Sequence, residues 1–76
     1  MALADYIECN PQVMLGKPVV RGTRIPVELI LRKLSEGASE VSLIESYPAL
    51  TRAHIQAALM YAADALALEH AESLTS

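Results

Sequence analysis

Residues 16 to 26 read GKPVVRGTRIP, and no other stretch limits the fold of this 76-residue chain so strongly. Two of the three glycines and two of the four prolines fall here, with three of the six basic residues, Lys17, Arg21 and Arg24. Proline fixes φ and lacks a backbone N–H, whereas glycine opens left-handed turns. Pro18 can therefore start a strand or lie on an edge, but not in a central ladder position. Gly22 permits a bend. Ile25 precedes a proline and is biased to extended geometry. Pro26 suits the first position of a helix. The stretch thus divides a non-helical front from a helical back. A phosphate-binding loop is excluded, because it needs Gly, four residues, Gly-Lys and then Ser or Thr. Pro11 and Pro18 stand where the first glycine and the hydroxyl belong.

The front reads as short strands and turns. Tyr6-Ile7-Glu8 suits a half-buried strand. Asn10-Pro11 and Gly16-Lys17 mark turns, and Pro18-Val19-Val20 reads as a second strand. Two such strands are too little for an independent sheet, so they must lie on helices or pair with another subunit. The back reads as three helices. The first runs from Pro26 to about Glu36, with Val27, Ile30, Leu31 and Leu34 on its buried face and Gly37 as its stop. The second follows the N-cap Ser39 and ends before Pro48, with Leu43, Ile44 and Tyr47 apolar. The third follows the cap Thr51 and runs to about residue 70, leaving 71–76 as a frayed tail. The expected fold is mostly α: one domain, a three-helix helix-turn-helix bundle behind a short β segment.

The third helix is apolar nearly all round. Ile55, Leu59, Ala62 and Leu66 form one stripe, and Ala58, Met60, Tyr61, Ala63, Ala65, Ala67 and Leu68 add to it. Such a helix is covered on more than one side. In a domain this small the second cover is expected to be another chain, which makes Leu59, Met60, Tyr61, Ala63, Leu66 and Leu68 the candidate dimer or partner interface. Solvated alanines as plain helix formers are the alternative.

Composition supports a folded domain: Leu, Ile and Val number 21 of 76. A single cysteine, Cys9, rules out an internal disulfide and, with no signal peptide, points to the cytoplasm. No apolar run is long enough for a membrane span. The formal charge is −3 but unevenly spread, with a net +2 over residues 1–33 and −5 over 34–76. That balance argues against nonspecific nucleic-acid binding while allowing a local basic patch. In a helix-turn-helix reader the N-terminal residues of the second helix of the motif meet base edges. Those residues are Arg52, His54 and Gln56. Lys17, Arg21 and Arg24 could add phosphate contacts, or the arginines could instead clamp backbone carbonyls. Catalysis has little support. His54 and His70 lie about 24 Å apart along one helix and cannot share a metal. Cys9 has no histidine nearby in sequence. No catalytic residue, metal or cofactor is expected.

GKPVVRGTRIPVELILRKLSEG, SLIESYPALT and IQAALMYAADAL together resemble domain-of-unknown-function family 433. The resemblance spans about residues 6 to 68. It rests on Gly16, Lys17, Pro18, Arg21, Gly22, Thr23, Arg24, Ile25 and Pro26, and on Tyr47, Pro48, Leu50, Thr51, Ala58, Leu59 and Tyr61. It implies a homeodomain-like fold and a bacterial or archaeal antitoxin of VapB-like type, whose partners would be a PIN-like toxin protein, promoter DNA and a second copy. A DNA-binding or protein-interaction module without a toxin is the other reading. Family members commonly carry acidic residues after the Leu-Thr cap, where this chain has Arg52-Ala53-His54.

Overall fold

The computed structural model describes residues 2–75, with side chains through residue 68. After a 3-10 turn at Leu3–Asp5 come two short strands, β1 (Ile7–Glu8) and β2 (Val19–Val20). They pair antiparallel, with Ile7 opposite Val20 and Glu8 opposite Val19. Helices α1 (Val27–Ser35), α2 (Glu40–Ser46) and α3 (Arg52–Thr75) follow. The β pair closes within one chain and is supported by the helices, because Ile7 and Val20 belong to the same core as Val27, Ile30, Leu43, Leu50 and Ile55.

The block that opened the sequence reading is a tightly hydrogen-bonded turn. The Val20 amide donates to the Ile25 carbonyl at 2.9 Å, and the Thr23 amide donates back to Val20 at 3.0 Å. The Thr23 hydroxyl donates to the same Val20 carbonyl at 2.8 Å and accepts from the Ile25 amide at 3.0 Å. Gly22 sits at φ +80, a left-handed position that favours glycine. Pro26 is still extended, with φ −68 and ψ 145. It caps α1 instead of filling its first turn, because Pro26 still bridges Val19 and the Val27 amide donates to the Pro18 carbonyl at 2.9 Å.

The helix ends follow local chemistry. Ser39 and Ser42 form a reciprocal cap on α2, with side-chain bonds of 3.0 and 3.1 Å. The chain leaves α2 at Tyr47, before Pro48. Thr51 caps α3 with an unusual partner. The Thr51 amide donates to His54 Nδ1 at 3.0 Å, while the His54 amide donates to the Thr51 hydroxyl at 3.3 Å.

One expectation about α3 needs correction. The helix does not stop near residue 70. It continues to Thr75, so residues 71–75 are helical and not a frayed tail; Ser76 lies outside the described residues. The stripe Ile55, Leu59, Ala62 and Leu66 lies only partly on the core. Ile55, Ala57 and Ala58 are fully buried, whereas Leu59 and Leu66 are 48% and 54% exposed. Ala57 and Ala58 pack in the core with Ile55. The leucines are left facing out.

Candidate interaction surface

Of the six residues expected to meet DNA, Lys17, Arg21 and Arg52 are each paired with a carboxylate. Lys17 Nζ bonds Glu28 Oε1 at 2.9 Å on α1. That hydrogen bond and the lysine's charge hold the Glu28 carboxyl below its ordinary value, with a smaller contribution from Arg32. A pocket of about 280 Å³ lies against this pair and Pro18. Arg21 turns inward to the fold's own backbone: Nε donates to the Ala4 carbonyl at 2.8 Å and Nη1 lies 3.5 Å from Glu8 Oε2. It ties the 3-10 turn to the β pair, which is the clamp role. Arg52 Nε faces Glu40 Oε2 at 3.4 Å, joining the starts of α2 and α3. His54 is occupied by the Thr51 cap and stacks edge-on against Tyr6, ring centroids 5.6 Å apart. Arg24 and Gln56 are exposed, and neither makes a side-chain hydrogen bond or ion pair among the described residues.

The apolar candidates behave differently. By helical spacing, Leu59, Ala63 and Leu66 share one stripe of α3, with Met60 on its flank. Arg52 and Gln56 continue that same outer stripe toward the helix start. All six are exposed. Tyr61 and Leu68 fall on a second, inner stripe with Ala65 between them. Among the described residues, Tyr61 is the last large side chain of α3 that packs on the core. Its hydroxyl lies 4.0 Å from Cys9 Sγ. That contact, followed by burial and the thiol's charge, raises the tyrosine above its ordinary value. Seven residues later Leu68 is 84% exposed. Between Tyr61 and Leu68, α3 therefore leaves two apolar stripes exposed among the described residues.

Sequence reasoning missed three things here. The acidic partners Glu8, Glu28 and Glu40 were not anticipated, because their pairings are long-range. The histidine cap was not anticipated because His54 stands where Glu or Gln usually completes such a box. The left-handed pair Met14 and Leu15, φ +51 and +57, was not anticipated either, and it leaves Leu15 95% exposed. Among the described residues no group of three or more His, Cys, Asp or Glu side chains could hold a metal ion, and no helix is long and apolar enough to cross a membrane.

This architecture is a small helix-turn-helix domain stapled at its front by a β turn. Residues 7–62 match the family described as "Protein of unknown function (DUF433)", and the chain belongs to that family. It is 34% identical over 61 residues to the uncharacterized protein y4eO of Sinorhizobium fredii (strain NBRC 101917 / NGR234). The match covers 80% of this chain but 28% of y4eO, so the chain spans little more than a quarter of that relative. A crystal structure of a DUF433 member from Anabaena variabilis ATCC 29413 superposes with a TM-score of 0.72 at 30% identity, covering 96% of this chain and 67% of that one.

Proposed function

We propose that this chain is a non-catalytic binding protein of antitoxin type that engages a PIN-like ribonuclease through the distal half of α3. One observation carries the reading: Leu59, Met60, Leu66 and Leu68 stand 41–84% exposed on a helix that outruns its own domain. Exposed apolar surface gathered in this way marks a protein-binding site. An amphipathic helix offering anchors at i, i+4 and i+7 is a familiar mode of groove recognition. The choice of a PIN-like partner rests on the resemblance to antitoxins of VapB-like type. Co-expression with a neighbouring PIN-like reading frame tests it. The expected result is a complex that survives size exclusion, with the ribonuclease silent until the chain is removed. Absence of any complex, with the ribonuclease fully active beside the chain, overturns the reading.

A second reading, promoter binding, is favoured by the exposed Arg52 and Gln56 at the start of α3 and by Arg24. Few cations are available for it, because Lys17, Arg21 and Arg52 are each paired with a carboxylate. Phosphate neutralisation supplies most DNA affinity. This reading therefore expects weak binding that disappears by moderate salt. A gel-shift titration with promoter DNA at two salt concentrations checks it, and salt-insensitive or absent binding counts against it.

A further inference from the structure

We infer that the joint between the front of the domain and the start of α3 is a proton-sensitive latch, closed while the His54 ring is neutral and opened when the ring takes a second proton. The latch is a property of the chain alone, whatever α3 binds. It governs how firmly the start of α3, with its exposed Arg52 and Gln56, is held against the front.

Hydrogen-bond direction creates the sensitivity. The Thr51 amide lies 3.0 Å from His54 Nδ1, and the Thr51 hydroxyl lies 3.1 Å from the same atom. A backbone amide can only donate, so Nδ1 must offer its lone pair. A neutral imidazole protonated on Nε2 does so. An imidazolium cannot, because both of its nitrogens are donors. A second proton therefore points one donor at another. The ring leaves the box, and the amide at the helix cap loses the acceptor that completed it.

More than the cap depends on the ring's position. The same imidazole meets Tyr6 edge to face, with centroids 5.6 Å apart and planes at 79°. Tyr6 closes the 3-10 turn through its bond to Leu3 and leads into β1. Rotation of His54 out of the box thus gives up a contact between the front and α3 as well.

The surroundings offer an imidazolium no compensation. Arg52, two residues away, is itself a cation, and it already faces Glu40 of α2 at 3.4 Å. Glu8 of β1 is engaged by Arg21. Asp5, in the 3-10 turn before Tyr6, makes no ion pair with His54 among the described residues. The helix start carries partial positive charge of its own. The second joint between front and α3, Cys9 against Tyr61, does not respond in the same range. The Cys9 contact and burial hold that phenol above its ordinary value, so it keeps its proton. Histidine is the side chain that ordinarily changes charge between about pH 5 and 8. The closed joint holds one proton fewer than the open one, so it is stable above that range and weakens as pH falls through it.

NMR of the unaltered chain tests the latch directly. At about pH 7.5, where an ordinary imidazole is mostly neutral, the His54 nitrogens should show the tautomer protonated on Nε2. As the ring gains its second proton, the Thr51 amide and Tyr6 ring signals should move with the same midpoint. A proton on Nδ1 at the start, or Thr51 and Tyr6 signals that stay still while His54 titrates, overturns the inference. Thermal melts give a second readout in a His70→Gln background, which leaves His54 as the sole histidine. From about pH 7.5 to about 5.5 the midpoint should fall by about 4–8 °C, the shift that loss of one cap produces in a domain of this size. Adding His54→Gln, whose amide oxygen accepts at every pH, should remove that fall. Equal falls in the two proteins overturn the inference.

Discussion

Arg21 and Arg24 stand three residues apart in one signature, yet the structure gives them different work. Arg21 bonds the Ala4 carbonyl and faces Glu8, so its guanidinium connects three separate segments of chain. Arg24 makes no such contact among the described residues. Arg21→Ala should therefore lower stability by about 1 kcal/mol, the ordinary net value of a hydrogen bond. Arg24→Ala should stay within about 0.5 kcal/mol, as surface changes usually do. Urea unfolding of the two variants measures the difference, and equal midpoints would remove the clamp. Thr23 is the more sensitive position. Thr23→Val keeps the branched shape but strips both hydroxyl bonds and leaves the Ile25 amide without its acceptor. A loss of about 1–3 kcal/mol is expected, the cost of an unsatisfied donor. Glu28 gives a pH-dependent counterpart. Its folded-state value is lowered, so its contribution is present above the ordinary carboxylate range and is lost as pH falls through the folded value. Carboxyl-resolved NMR should show Glu28 titrating lower than in Lys17→Ala, where the leading cause is gone. Identical titration curves would mean that the pair does not persist in solution.

Each helix carries its own boundary signals, which is why the elements could be located from sequence alone. Ser39, Pro48, Thr51 and Gly37 act through local chemistry, and the observed ends of α1 and α2 agree with them to within a residue or two. The β pair was legible for the same reason, since Pro18 and Gly22 leave few alternatives to a short strand and a turn. What could not be read was which side of α3 the domain covers. Periodicity marked α3 as apolar nearly all round and so singled out no one covered side. Packing chose Ala57 and Ala58, because the covered side is a property of the assembled fold and not of one helix. The pairings of Lys17, Arg21 and Arg52 were hidden in the same way, as each carboxylate partner lies 11 to 13 positions distant in sequence. The cap on α3 gives the prediction at this level. The Thr51 amide can only donate, so Nδ1 of His54 accepts and the ring proton resides on Nε2. His54→Ala removes that acceptor together with the edge contact to Tyr6. A loss of about 1 kcal/mol is expected, typical of a helix cap. His54→Gln should recover part of it, because Gln completes the same box. Thermal melts of the three proteins decide it: a Gln variant no better than Ala would mean that the ring packs and does not cap.

At the scale of the whole molecule, folding and binding occupy different lengths of one helix. Among the described residues, every fully buried one of α3 precedes Leu59 and Tyr61 is the last large side chain on the core, and the family match ends at residue 62. From there the helix continues to Thr75, about 20 Å, and residues 63–68 are all exposed. This helps explain the elongated form, 43 by 31 by 22 Å, of a chain otherwise built as a small bundle. The two halves should therefore separate experimentally. A chain ending at residue 62 keeps the β turn, α1, α2, the start of α3 and every core residue described. It should unfold cooperatively, with a midpoint lowered by a few degrees from the loss of distal helix propagation and of any second copy. Its stability should also be independent of protein concentration, whereas the midpoint of the full chain should rise with concentration, as mass action requires when association accompanies folding. Calorimetry of both chains across a hundredfold range of concentration makes the comparison. If the shortened chain fails to fold, the distal helix belongs to the core by contacts formed within one chain. If it folds and its midpoint still climbs with concentration, association uses a surface on the bundle, and the exposed leucines of α3 serve the other partner alone.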